Sequence, residues 1–286
     1  MATFNICKIQ VNEFHHLFDD LVSTLSASLI DLGHQCTVSS NEMRSDAINI
    51  LIGSIMFNDQ LISSHLTQPY MVYQLEILDE ELGHLKKYPQ YLGFLSRALS
   101  VWDYSPKNFD YLRSKGILNV EYVPPGYHSV SEKLTWRNSG HQFDFLFIGS
   151  LSTRRAIFLE GIAKRGYKVG AITEDNRAFG DKRDQLIAGS KIIVNVHCFD
   201  DLNTLETVRI SYLLTNGAVV ISEVSDHDPY EGAIGYAKYD ELLDYCGSVL
   251  SNEESLQKRS ADGYAAIKKI DMKNSVEKAL INLQLS

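Results

Sequence analysis

The stretch Phe147-Ile148-Gly149-Ser150-Leu151-Ser152-Thr153-Arg154-Arg155 carries the parts of an anion site. An apolar run ends, a Gly-Ser turn follows, and a helix start comes next. Glycine lets the backbone come close to a ligand. The first N–H groups of a helix lack partners and attract negative charge. Arg154 and Arg155 add charge-assisted bonds of the kind that hold phosphate. The spacing is neither G-x-G-x-x-G nor G-x-x-x-x-G-K-[ST], so neither a dinucleotide fingerprint nor a P-loop is supported. The plain alternative is a strand-to-helix turn with surface arginines.

Other residues of the second half could join this site. Asn195-Val196-His197 follows an apolar strand, and a histidine there can be a base or a ligand contact. Glu206 and Arg209 are three apart and share one helix face. That spacing makes a helical ion pair or brings Arg209 to a phosphate. Ser222 ends another apolar run. In the first half, Asp103 lies directly beyond an apolar strand, and His15 and His16 open the first long helix. Either His15 or Asp103 could accept a proton from an acceptor alcohol. Asp226-His227-Asp228 has the spacing of a metal-diphosphate motif but sits in a polar loop, so no metal is expected.

These residues need elements to position them. Strands are predicted over 3–11, 35–38, 47–52, 70–74, 98–102 and 119–123. Apolar residues from Phe14 to Leu32 recur at helical spacing and stop at Gly33. Ser105 and Pro106 open a helix that ends at Gly116. The pattern lapses into polar residues over 129–140 and then restarts. Strands are predicted over 143–148, 167–172, 191–196 and 218–222, with helices over 154–165, 181–189, 204–215 and 239–250. Strands alternating with helices give βαβ units and parallel sheets. The fold expected is α/β, with two Rossmann-like doubly wound domains facing a cleft. Residues 1–135 form the N-terminal domain and 136–286 the C-terminal domain, with the last helix free to pack back on the first. Ligands of such sheets bind at the carboxyl ends of the strands. That places Gly53, Gln74, Asp103, Pro124, Gly149, His197 and Ser222 at candidate positions.

In order and spacing these pieces resemble the two-domain nucleotide-sugar glycosyltransferases of the GT-B fold. The resemblance is to the CgeB-like and glycosyltransferase family 1-like bacterial proteins. It rests on Tyr73-Gln74-Leu75-Glu76, Val101-Trp102-Asp103-Tyr104-Ser105 with Asn108, and Val123-Pro124-Pro125-Gly126-Tyr127. In the second half it rests on Phe147-Ile148-Gly149-Ser150 with Arg154-Arg155, and on Arg209 eight residues before Gly217 with Val220-Ile221-Ser222 after it. It implies that the C-terminal domain holds a nucleotide sugar and the N-terminal domain an acceptor. The implied donor contacts are Gly149, Ser150, Arg154 and Arg209, the last near the diphosphate. Asn195, His197, Glu206 and Ser222 join them from their places at strand and helix ends. The implied activity is metal-independent transfer of a hexosyl or pentosyl group to a glycan, glycoconjugate or small molecule. The nucleotide sugar is then a co-substrate, and no cofactor is needed. The chain departs from the pattern at Tyr212, where such relatives place a glutamate that holds the donor ribose. Glu206, Glu223 or Glu231 substitutes, or donor recognition differs, or the domain binds without catalysing.

The charge fits a cleft-bound anion better as a distribution than as a sum. The 286 residues hold 27 Lys+Arg against 36 Asp+Glu, a net charge of −9. Residues 150–191 instead hold 9 basic and 5 acidic side chains, beginning at the Gly149-Ser150 turn. The acidic balance weighs against nucleic acid as a partner. Sugar transfer to modified DNA bases, as phage enzymes perform it, stays open if the basic region faces the cleft. Four cysteines without a CxxC pair make a disulfide framework or zinc site unexpected and point to a reducing cytoplasm. No apolar run reaches the roughly 20 residues that span a bilayer, and no signal peptide is read at the start. Oligomeric state is not legible.

Overall fold

The computed structural model describes residues 1–11, 13–56, 66–81, 83–134, 140–201 and 203–283, without the side chains of residues 13–15, 56, 83 and 84. The chain divides into two units. One comprises Met1–Val130 and Ile270–Ser286, the other Ser131–Lys269.

The first unit begins with β1 (Thr3–Lys8) and α1 (Asp19–Asp31), entered through a 3-10 turn over Glu13–Phe18. The apolar spacing from Phe14 therefore covers a turn and a helix. Then come β2 (Gln35–Ser40), β3 (Ile48–Ile52), β4 (Tyr70–Gln74), α2 (Gly83–Lys87) and α3 (Tyr91–Ser96). The series continues with β5 (Val101–Asp103), α4 (Pro106–Ser114) and β6 (Val120–Tyr122). Ser105 caps α4 by accepting from the Asn108 N–H, and Pro106 takes the first turn, where no donor is missed. All strands are parallel, in the order β2-β1-β3-β4-β5-β6. β4 is buried throughout and β3 from Asn49 onward, as parallel strands covered on both faces must be. Trp102 is fully buried edge-on to Tyr73, with ring centroids 6.0 Å apart.

The second unit repeats the plan. It contains β7 (Phe143–Ile148), α5 (Thr153–Lys164), β8 (Val169–Ile172), α6 (Gly180–Ala188), β9 (Ser190–Asn195) and α7 (Thr207–Thr215). β10 (Val220–Glu223), β11 (Gly235–Ala237), α8 (Tyr239–Leu250) and α9 (Glu253–Lys269) complete it. Its sheet is also parallel, in the order β11-β10-β9-β7-β8. Phe145, Phe147, Ile192, Val194 and Ile221 form its core with Phe158 and Ile162 of α5 and Leu242 of α8.

The final helix, α10 (Met272–Asn282), belongs to the first unit and packs against α1. It is held by a two-way backbone bridge. The Tyr127 N–H donates to the Ile270 carbonyl at 2.7 Å, and the Met272 N–H donates to the Tyr127 carbonyl at 3.0 Å. Among the described residues no helix is long and apolar enough to cross a membrane.

Candidate anion site of the second unit

Strand order says where a ligand belongs. The second unit runs from β7 outward to β8, then returns past β7 to β9, so the reversal lies between β7 and β9. At such a reversal the connections leave in opposite directions and open a crevice beyond the carboxyl ends of the two strands. Here those ends are Gly149 after β7 and Val196-His197 after β9.

Gly149 has φ +152°, a conformation that suits glycine. A Cβ there would lie 3.1 Å from Arg209 Nη1, 3.3 Å from the Phe147 ring and 3.5 Å from Arg155 Nη1. The missing side chain is what lets two guanidinium groups close on the turn. Ser152 caps α5 by accepting from the Arg155 N–H. Ser150 is exposed and offers its carbonyl to Arg155 Nη1 at 2.9 Å. Arg155 is buried and also donates to the Val196 carbonyl at 2.8 Å and to Glu206 Oε1 at 3.1 Å. It therefore ties the ends of β7 and β9 to the start of α7.

Arg154, expected to approach the donor, is held by carboxylates in this structure. Its Nη1 and Nη2 grip the Glu223 carboxylate, its Nε is held by Asp200, and Nη1 lies 3.3 Å from the His197 carbonyl. Its guanidinium also lies 3.8 Å over the Tyr239 ring. The sequence offered no pairing rule for partners 46 and 69 residues away. An acidic residue just past a buried strand, as at Ser222-Glu223, was the one available signal.

Asn195, His197, Glu206 and Arg209 do come together. Asn195, the last residue of β9, donates to Glu206 Oε2 at 2.7 Å and to Ser222 Oγ at 3.0 Å, and its Oδ1 accepts from Arg209 Nη2. Arg209 Nη2 lies 3.8 Å from Glu206 Oε1, one turn back on the same face. His197 faces Glu206 Oε2 with Nδ1 at 3.5 Å and the Val224 carbonyl with Nε2 at 3.1 Å. Nε2 also lies 3.2 Å from the Ser225 hydroxyl, which can donate or accept. Burial pushes the imidazole down, but the Glu206 bond and the Glu206 and Glu223 charges lift it above its ordinary value. Burial likewise pushes the Glu206 carboxyl up, and His197, Arg209 and Asn195 outweigh it and hold it at about 2.

Arg154, Arg155 and Arg209 thus face Asp200, Glu206 and Glu223, with His197 beside them, and Glu174 accepts from the Leu151 N–H of the turn at 2.9 Å. Arg209 is the guanidinium most available to a ligand. Its side chain is 22% exposed, against 13% for Arg154 and 6% for Arg155, and Nη1 lies over the Gly149 turn. Ser222, expected as a donor contact, is fully buried, accepts from Asn195 and donates to the Glu223 carbonyl at 2.8 Å.

The other sequence candidates are spent elsewhere. Tyr212 is buried under the Arg183 guanidinium, 4.2 Å from its ring, so it offers no carboxylate. Glu231 pairs with Lys269 at 2.7 Å on an exposed turn. Asp228 staples its own loop, accepting from the Tyr230 and Gly232 N–H groups and the Tyr236 hydroxyl.

In the first unit the strand reversal lies between β1 and β3, and Asp103 ends β5, two strands beyond β3. Asp103 is fully buried, accepting at Oδ1 from the Ser105 N–H at 2.9 Å and from Asn108 Nδ2 at 3.1 Å, while Oδ2 has no partner. Burial drives its carboxyl well above the ordinary value, more than bonds from Ser105, Asn108 and Tyr104 lower it. A base must reach its acceptor, and Asp103, expected in that role, is sealed from solvent here. The His15 side chain lies outside the described residues. His16 is held by Asp19 at 2.8 Å.

The Asp103 environment carries a pH signature. The unfolded chain releases this proton near 3.8 and the folded chain at higher pH. Between those values the folded state binds more protons, so stability falls as pH rises. An asparagine side chain at this position would carry no such proton. The Asp103→Asn variant is therefore expected to gain in Tm on the unaltered chain as pH rises from about 4.5 to 7.5. A Tm difference that does not move with pH would show that Asp103 is ionised in the fold.

No family model matches the chain. It is 26% identical over 181 residues to an uncharacterized protein of Acanthamoeba polyphaga mimivirus, matching 62% of this chain and 59% of that one. A second uncharacterized protein of the same virus is 30% identical over 165 residues, covering 55% of each chain. The chain thus spans little more than half the length of these curated relatives. Among solved structures it is similar to TarM (TM-score 0.58, 11% identity, 85% of this chain and 55% of that one). It is similar to OtsA (TM-score 0.56, 11% identity, 96% and 79%). It is also similar to AviGT4, a glycosyltransferase involved in avilamycin A biosynthesis (TM-score 0.57, 11% identity, 100% and 99%). The α/β fold with two parallel sheets is that of the GT-B glycosyltransferases.

Proposed function

We propose that this chain transfers a sugar from a nucleotide-sugar donor and that its second unit holds the donor's diphosphate at the Gly149 turn. The observation that carries this reading is Arg209. Its guanidinium is fixed by Asn195 and Glu206, lies against a turn that only glycine allows, and stands at the strand reversal where α/β sheets take ligands. One of the solved TarM structures holds UDP, and a trehalose-6-phosphate structure holds UDP-2-fluoroglucose, which supports a nucleotide diphosphate as the ligand class. The chemistry fits. A leaving diphosphate must be stabilised as charge develops, and preorganised donors do this without reorganising. In this reading Arg209 and the N–H groups of the turn supply that stabilisation without a metal or cofactor. The acceptor is a glycan, glycoconjugate or small molecule.

The test is calorimetry or thermal shift with UDP, GDP, ADP and dTDP. At least one should bind, and a ligand at 100 times its Kd should stabilise the fold by about 2.7 kcal/mol. Arg209→Ala is expected to weaken binding about 100-fold, the loss of a charge-assisted contact worth about 1.5–3 kcal/mol. No binding by any nucleotide would sink the reading, and undiminished binding by the variant would remove Arg209 from it. The Tyr212 position favours a second reading, a donor-binding protein that does not transfer. It predicts nucleotide binding with no turnover of any bound nucleotide sugar.

A further inference from the structure

The two carboxylates on Arg154 are not equivalent. Glu223 ends β10, has an 11% exposed side chain, and also accepts from the His197 N–H at 3.2 Å. It is built into the sheet. Asp200 lies in the loop between β9 and α7, and its side chain is 81% exposed. It covers the Nε edge of the guanidinium, while Glu223 covers the Nη edge. Arg154 cannot follow Asp200 if that loop moves. Its plane is stacked on Tyr239, and the Tyr239 hydroxyl donates to the Arg154 carbonyl at 2.8 Å. A fixed cation therefore meets an exposed anion, five residues along the chain from Gly149.

We propose that Asp200 is a built-in competitor, which occupies the Nε edge of Arg154 and yields it to a phosphate oxygen of the incoming ligand. This rests on reading the second unit as a diphosphate site. The exchange is favourable on general grounds. The terminal phosphate of a nucleotide diphosphate, the form left when the sugar has gone, carries more charge than a carboxylate and offers three acceptor oxygens. Asp200 returns to water almost without desolvation change, since most of its side chain is already there. Glu206, six residues after Asp200 in the chain, orients Asn195 and Arg209. Arg154 then serves the ligand after all, but only once its present partner has left.

Calorimetry with UDP and with inorganic pyrophosphate, on the unaltered chain and on Asp200→Asn and Asp201→Asn, tests this. Asp200→Asn should tighten both probes about fivefold, the upper range for release of one exposed ion pair. Asp201→Asn removes the same charge one residue along and should leave both affinities unchanged. Equal tightening by the two variants would mean a bulk charge effect and overturn the proposal. So would weaker binding in Asp200→Asn, which would make Asp200 part of the site. If UDP binds all three chains equally, the competitor fails and the nucleotide reading stands. If UDP binds none while Asp200→Asn tightens pyrophosphate, the competitor stands and the nucleotide reading fails. If neither probe binds any chain, both fail.

Discussion

Arg155→Met is expected to cost about 3–5 kcal/mol of folding stability, the range for removing one partner of a buried, hydrogen-bonded charge pair. Arg155 is 5% exposed, and the Val196 carbonyl, the Ser150 carbonyl and Glu206 all depend on it. Methionine fills the stem's volume but donates nothing. Two carbonyls would be left short of a donor, and Glu206 would lose a counter-charge inside the site. Urea unfolding should show a lower midpoint with an unchanged slope. A midpoint within error of the unaltered chain would mean that water replaces the guanidinium. Adding Glu206→Gln should recover part of the loss, because the stranded charge goes with it. Arg155→Lys should recover little, since an ammonium cannot reach three acceptors set out as a planar fork.

Gly126→Ala is expected to destabilise the first unit by about 3 kcal/mol, at the upper end of ordinary overpacking. A Cβ at Gly126 would stand 2.3 Å from the Ile270 carbonyl oxygen and 3.0 Å from the Met272 nitrogen. Both neighbours are backbone atoms and cannot swing aside as a side chain could. The bridge between Tyr127 and the start of α10 must open instead. That exposes Met272, Val276 and Leu280, all buried now, and burying each such side chain contributes about 1.5–3 kcal/mol. The variant should lose Tm and become open to protease near residue 270. A Tm within about 1 °C of the unaltered chain would show that the bridge adapts freely.

Local chemistry made much of this legible in advance. The Gly149 turn, the Ser105 cap and the Glu206–Arg209 pair follow from spacing alone, whereas the Ser152 cap does not. Partners drawn from distant strands were not legible. Nothing near Arg154 announces Glu223 or Asp200, and nothing near Asp103 says that its strand lies away from the sheet's reversal. A carboxylate just past an apolar strand reads the same whether it faces a ligand or is sealed under a helix start. Strand order decides between these, and it arises from long-range pairing. The three-residue β11 carries too little apolar pattern to be recognised, and β1 stops at Lys8 although apolar residues run on to Val11.

The return of α10 to the first unit sets an order of events during synthesis. A ribosome finishes β1 through β6 early but delivers Met272–Asn282 only after all of Ser131–Lys269. At ~5–20 residues per second that delay is on the order of ten seconds. Throughout it, the α1 face that α10 covers has no cover of its own. The second unit, contiguous in sequence, has all its parts before the first does. The half of the molecule that is made first is therefore the last to be completed.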